Sequence, residues 1–335
     1  MTASRDVAPN PEPKIELHVH LEGTVRPHAL LDIANRNGVS LPARTEEDLA
    51  KLYTFRDFDH FIEMWVMTTV AIRTEADFRE IVVEYAREAA AHGAVYIEGI
   101  FTPAERVRGG ASWDQVFSGF CDGAELAERE TGVTVRLTPD IPRGFALEQA
   151  METARYAVKY RDRGVVGLGL GGLEQQFPPE PFEPAFRLAR DGGLGSVPHA
   201  GEVAGVASIR GALDALGADR LRHGIRAVDD ADLLQELADR GIVCDVCPVS
   251  NLRTGAVVSL EAHPLSTLLA AGVACSISTD DPALFDTNLT YDYDAAAALG
   301  CDAETAFRAG IQGALCDDAT GDRLQTLADT HAWQT

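Results

Sequence analysis

The sequence predicts an α/β fold, a (β/α)8 barrel with extra helices inserted after the first strand. Three observations predict it. Short β-branched or apolar runs recur, each followed by a longer alanine-, leucine- and charge-rich stretch at helical spacing. Eight such runs can be counted. The unusual polar residues His18, His20, Asp140, His199, His223, Asp280 and Asp281 fall at the C-terminal ends of different runs. Those ends converge on one face of a barrel, whereas a doubly wound open sheet, which also alternates strands and helices, would spread them apart.

In chain order, residues 1–13 are polar and contain proline, and are expected to form a flexible tail. A single barrel domain over 14–335 follows. Its strand runs are Ile15–His20, Val95–Phe101, Val135–Asp140, Val165–Leu170, Gly195–Ala200, Arg220–Ile225, Val243–Pro248 and Cys275–Asp280. The last five are spaced by about 25 to 30 residues, room for one helix and two short loops per unit. The longer first gap holds helical segments over Pro27–Gly38, Phe58–Val70 and Glu75–His92, an insertion able to form a lid. Phe61 and Trp65, at i and i+4 in its second segment, are expected to pack the core or the lid, with substrate contact as the competing reading.

Composition narrows the function classes. With 335 residues, 46% of them hydrophobic, the chain can bury a sizeable core. A formal net charge of −23 repels polyanions, so no nucleic-acid partner is expected. The six cysteines have no framework spacing, which predicts reduced thiols. No apolar leader segment and no run of about 18 apolar residues occurs, so no membrane partner is expected and the location predicted is cytoplasmic.

His18 and His20, two apart on a predicted strand, point to the same side. With His199 and a carboxylate from Asp280-Asp281 they make a donor set that suits Zn²⁺ and leaves a position for water. Glu202 lies just past the third imidazole, where it can shuttle protons; the competing reading is a helix N-terminal glutamate. His223 can hold the attacking water or polarise the reacting centre, or can be a buried, hydrogen-bonded histidine. Cys244-Asp245-Val246-Cys247 lacks a second pair at structural-zinc spacing. Gly167-Leu168-Gly169-Leu170-Gly171-Gly172 does not lead into a helix as a dinucleotide fingerprint would, because Phe177-Pro178-Pro179 interrupts the next stretch.

The ordered set His18-Val19-His20-Leu21-Glu22-Gly23, His199-Ala200-Gly201-Glu202, Arg222-His223-Gly224, Cys247-Pro248-Val249-Ser250-Asn251 and Ser278-Thr279-Asp280-Asp281-Pro282 resembles the adenosine deaminase family of metal-dependent barrels. The resemblance implies one zinc per subunit on His18, His20, His199 and Asp280. It implies that Glu202 protonates purine N1, that His223 orients the attacking oxygen and stabilises the tetrahedral centre, and that Asp281 holds N7. It also places Glu22 near the ribose 5′-hydroxyl and the Gly172 backbone amide opposite N3, where a side chain would obstruct the base.

Two positions separate the branches of the family. Adenosine-specific members have aspartate where this chain has Glu22, and again where it has Leu173. Adenine-deaminating members carry the glutamate but have Ser-Ser-Glu in the segment occupied here by Gly171-Gly172-Leu173-Glu174. The sequence looks closest to a third branch, which deaminates 6-amino-6-deoxyfutalosine, a purine nucleoside with a benzoate-bearing 5′ substituent, on the way to menaquinone. Arg73 and Arg143 are candidate cations for that carboxylate, with a solvent-exposed arginine as the competing reading of each. The other readings are an adenosine or adenine deaminase, a barrel hydrolysing another amide, amidine or phosphoester, and a non-catalytic metal-binding barrel. The intact ligand set, Glu202 and His223 oppose the last. The expected partner is a small-molecule purine nucleoside, and the oligomeric state is left open.

Overall fold

A computed structural model describes residues 11–333. The first ten residues of the expected tail lie outside the described residues, and residues 11–13 carry no regular element. Structure starts at β1 (Lys14–His20), in which Ile15 and Leu17 join a cluster with Phe307 and Leu324 of the C-terminal helices. His18 and His20 occupy the alternate positions, as the period of two demands.

The parallel ladder continues through β2 (Ala94–Phe101), β3 (Thr134–Pro142), β4 (Gly167–Gly171) and β5 (Gly195–Ser196), then from β6 (His199–Ala200) through β7 (Arg220–His223), β8 (Val243–Val246) and β9 (Cys275–Ile277). β5 and β6 are one predicted run cut in two. Pro198 has no N–H for a ladder, so Gly195 and Ser196 pair back with β4 while His199 and Ala200 pair onward with β7. The return to β1 is made by main chain: His20 N donates to the Asp280 carbonyl at 2.7 Å and Asp280 N to the His18 carbonyl at 3.0 Å. The barrel is thereby as predicted.

Several strand ends differ from expectation. Arg220–Ile225, Val243–Pro248 and Cys275–Asp280 stop earlier, at His223, Val246 and Ile277. The causes are local. His223 and Asp280 take the left-handed backbone, with φ of 65° and 66°, and Pro248 opens a helix. β4 starts two residues late because Val165 makes only an isolated bridge to Leu137.

The insertion after β1 comprises α1 (Pro27–Arg36), α2 (Glu46–Leu52), α3 (Phe58–Thr69) and α4 (Glu75–Ala91). Three of these were predicted within two residues at each end. α2 was not, since its seven residues bury only Leu49 and give no sustained periodicity. Among the described residues no helix is long and apolar enough to cross a membrane.

Candidate metal centre and active site

The C-terminal ends of the strands bring His18, His20, His199 and Asp280 together, with their ligand atoms all within 4.8 Å of one another. His18 Nε2 and His20 Nε2 each lie 3.3 Å from Asp280 Oδ1, and the Nε2 atoms of His20 and His199 are 3.2 Å apart. Donors about 2.0–2.2 Å from one ion can stand this far apart, so this set can hold one small divalent ion with a further position open to water.

The protonation chemistry fits as well. His199 Nδ1 donates to the Leu170 carbonyl at 2.9 Å, which leaves the Nε2 lone pair for a metal. Burial pushes His20 down to about 4 and His199 well below the ordinary histidine range, favouring neutral, ligating rings. For Asp280 burial works the other way. Electrostatic attraction and a hydrogen bond from the His18 imidazole, with the facing imidazoles of His20 and His223, overcome it and hold the carboxyl well below its usual range. Ser250 Oγ donates to Asp280 Oδ2 at 2.6 Å. Arg222 donates to Asp140 Oδ1, whose Oδ2 lies 3.4 Å from His199 Nδ1. Asp140 thus backs the metal cluster, a role the sequence did not assign it.

Glu202 leaves β6 on a short turn, buried, with Oε2 3.4 Å from His223 Nε2 and Oε1 without a protein partner. It does not cap a helix: the next one, Val206–Asp214, has Gly205 at its N-cap. Burial, then the negative charges of Asp280 and Glu174, push Glu202 well above the usual carboxylate range and favour its protonated form.

The turn is held by Glu174. Its carboxylate accepts from the backbone N–H groups of Gly201 (2.5 Å), Glu202 (3.1 Å), Val203 (3.0 Å) and Ala204 (2.9 Å), and from Ser208 Oγ (2.6 Å). Nothing in the sequence spacing announces this, because Glu174 lies on the loop after β4 and its donors follow β6.

His223 is buried and also hydrogen-bonded: Asn251 Nδ2 lies 3.1 Å from its Nδ1, while its Nε2 faces Glu202 and, at 3.8 Å, Asp280 Oδ2. His223 is thus the buried, hydrogen-bonded histidine of the second reading, with its Nε2 on the side of Glu202 and Asp280. Asp281 accepts from Trp65 Nε1, and burial followed by the charge of Asp280 pushes its carboxyl well above the usual range. Gly23 permits this arrangement, since a Cβ there would stand 1.7 Å from Asp281 Oδ1.

A cavity of about 230 Å³ opens on these groups, walled by His20, His199, Glu202, His223, Asp280 and Asp281 on the strand side. Phe61 and Trp65 wall it from α3, so they serve both packing and cavity, and Gly172 contributes from the loop after β4. Gly172 has φ of 100°, and a Cβ there would meet only Arg143 at ordinary contact distance. Backbone conformation is the constraint seen here. Glu22 is not in the cavity wall. It stands behind Thr102, whose N–H donates to Glu22 Oε1 at 2.9 Å, and its Oε2 has no protein partner. Arg143 is buried rather than exposed, donating to the His199 carbonyl at 2.7 Å and to that of Phe177. Cys247 Sγ lies 3.6 Å from His18 Nδ1, and Cys244 belongs to no potential ligand group among the described residues.

Residues 13–330 match the adenosine deaminase family. The chain belongs to that family. As a member of the adenosine deaminase family it is a metal-dependent hydrolase acting on C–N bonds. It is 50% identical, over 100% of its own length and 96% of the relative's, to the aminodeoxyfutalosine deaminase of Acidothermus cellulolyticus. It is 38% identical to an adenine deaminase of Rhizobium leguminosarum, covering 93% and 97% of the two chains. Among solved structures it is similar to the adenine deaminase of Arthrobacter aurescens, with a TM-score of 0.90 at 30% identity over 95% and 98% of the chains. A zinc-bound amidohydrolase from B. ambifaria is similar at a TM-score of 0.84 and 29% identity, over 95% and 92%.

Proposed function

We propose that the protein removes the 6-amino group of a purine nucleoside, with 6-amino-6-deoxyfutalosine as substrate, futalosine and ammonia as products, and one zinc ion on His18, His20, His199 and Asp280. The observation that carries the reading is one cavity holding four convergent ligand atoms beside a buried Glu202–His223 pair. The 50% identity to an aminodeoxyfutalosine deaminase supports the substrate, and the zinc-bound neighbour supports the metal.

When bound, zinc supplies Lewis-acid activation of water. The residues do the rest. Glu202, protonated in its buried setting, delivers a proton to N1, which makes C6 electrophilic. Water oxygen adds to C6, returning one proton to the Glu202 carboxylate left by the first step, and His223 holds that oxygen and the tetrahedral centre; the second water proton passes to the amino nitrogen as the C6–N6 bond breaks and ammonia leaves. Asp281 anchors N7 and Gly172 N–H faces N3, with Glu22 toward the 5′ end.

The test is ammonia release by the zinc-loaded protein from 6-amino-6-deoxyfutalosine, adenosine and adenine, compared as kcat/KM. Preference for the first supports the reading. Preference for adenosine or adenine would assign the protein to purine salvage, and failure of all three would remove the deaminase assignment from aminopurines.

A further inference from the structure

Beside the reaction cavity lies a second one of about 220 Å³, lined by Val66, Val70, Ile72, Arg73, Glu105, Arg106, Arg108 and Gly109. Val66 and Glu105 line both cavities, so the two adjoin. Three guanidinium groups, against Glu105 in the lining and Glu22 beside Arg106, leave a local excess of positive charge in a protein of net charge −23. An anionic substrate would otherwise meet a repulsive surface.

The cations are arranged as a site. Arg106 is buried and donates to the carbonyls of Thr69 and Ile72, but its Nε has no hydrogen-bond partner and lies 3.9 Å from Glu22 Oε1. Arg73 and Arg108 are exposed, and neither is in an ion pair among the described residues. Arg73 Nε is braced by the Val70 carbonyl, and Arg108 sits 5.4 Å from the ring centre of Phe145, which lines the reaction cavity. Val66, Val70 and Ile72 give the annex an apolar ledge, and Val66 also lines the reaction cavity.

Resting on the nucleoside reading above, we propose that this annex is a specificity subsite for a carboxylate carried on an apolar spacer at the 5′ end of the nucleoside. Val66 and Glu105, which line both cavities, mark the entry to the annex, with Arg106 beside it against Glu22. The spacer lies on the Val66–Val70–Ile72 ledge and the carboxylate is met by Arg73 and Arg108. A 5′-phosphate offers negative charge but no apolar spacer to lie on the ledge.

The test compares wild type with Arg73→Ala, Arg108→Ala and the double variant, all surface changes, on 6-amino-6-deoxyfutalosine, its neutral carboxamide, and AMP. The double variant is expected to lose about a hundredfold in kcat/KM on the carboxylate and little on the carboxamide, so that the two changes are not additive. Equal losses on both compounds, or none, would overturn the subsite, as would a wild-type preference for AMP. If the wild type deaminates neither nucleoside, the substrate reading fails and the subsite with it.

A separate chain of hydrogen bonds fixes how His223 is presented. Leu265 N–H can only donate, and it faces His263 Nδ1 at 3.1 Å, so the proton of a neutral His263 is on Nε2. That nitrogen is 3.1 Å from Asn251 Oδ1, which leaves Asn251 Nδ2 to donate to His223 Nδ1. We infer that Asn251 and His263 are positioning residues that hold His223 as the Nε2–H tautomer, a hydrogen-bond donor toward the reacting oxygen. In zinc-loaded protein labelled with ¹⁵N-histidine, His223 should show a protonated Nε2 and an unprotonated Nδ1. His263→Phe should mix the tautomers and lower kcat about tenfold or more at little-changed KM, and His263→Gln, which keeps a donor, should restore both. A wild-type His223 carrying its proton on Nδ1 would overturn the assignment without recourse to any variant.

Discussion

The indole Nε1 of Trp65 donates a 2.7 Å hydrogen bond to Asp281 Oδ1, joining the inserted helix α3 to the end of the last barrel strand. Asp281, proposed to anchor the purine base, is thereby oriented by the insertion. Trp65→Phe keeps the wall of the cavity and removes the donor. We expect kcat/KM to fall about tenfold, the scale of one hydrogen bond to a charged or buried acceptor. Steady-state kinetics decide it, and an unchanged value would show that Asp281 does not need the helix.

Glu202→Gln should retain metal and lose turnover by about 10²–10⁴-fold, because an amide cannot donate a titrating proton to N1. Metal analysis and kinetics on the same preparation are needed together. Near-normal kcat would remove Glu202 from the mechanism.

His18→Ala and Asp280→Ala should each lose both bound metal and activity, since three donors at this spacing hold the ion far less well than four. Full metal content, measured by elemental analysis, would mean that the ligands are wrongly assigned.

Glu174→Gln replaces a carboxylate that accepts from four consecutive N–H groups with an amide that can turn only one oxygen toward them. A stability loss of about 2–3 kcal/mol and a reduced kcat are expected together. Denaturant unfolding with parallel kinetics would separate them; lost stability with intact kcat would show that the turn tolerates displacement of its cap.

Asp292 is buried, accepts from Val249 N–H at 3.1 Å and Thr287 Oγ1 at 2.7 Å, and is pushed up to about 8 by burial. Its folded-state value lies above the unfolded one, so the folded protein holds the extra proton between roughly pH 4 and 8. The associated stability is present below that window and is lost as pH rises through it. Asp292→Asn should flatten this decline, which thermal unfolding from pH 5 to 8 would reveal; an unchanged slope would place its origin elsewhere.

The sequence by itself determined the barrel, the order of its strands and the convergence of His18, His20, His199 and Asp280, because strand periodicity and strand-end position are local properties that one chain direction and one parallel fold convert into a common face. His18 and His20 needed only their spacing. It was the tertiary structure that decided what surrounds them. Glu174 reaches across from β4 to the turn after β6, Asn251 and His263 orient His223, Trp65 reaches Asp281 from an inserted helix, and Arg73 and Arg108 meet at an annex. The same holds for Arg143, offered as a cation for the 5′ carboxylate or else an exposed arginine, and found buried as a brace on the His199 carbonyl. Each of these depends on contacts between residues far apart in the chain, whose pairing is set by how the layers pack and carries no signature in the spacing of either partner.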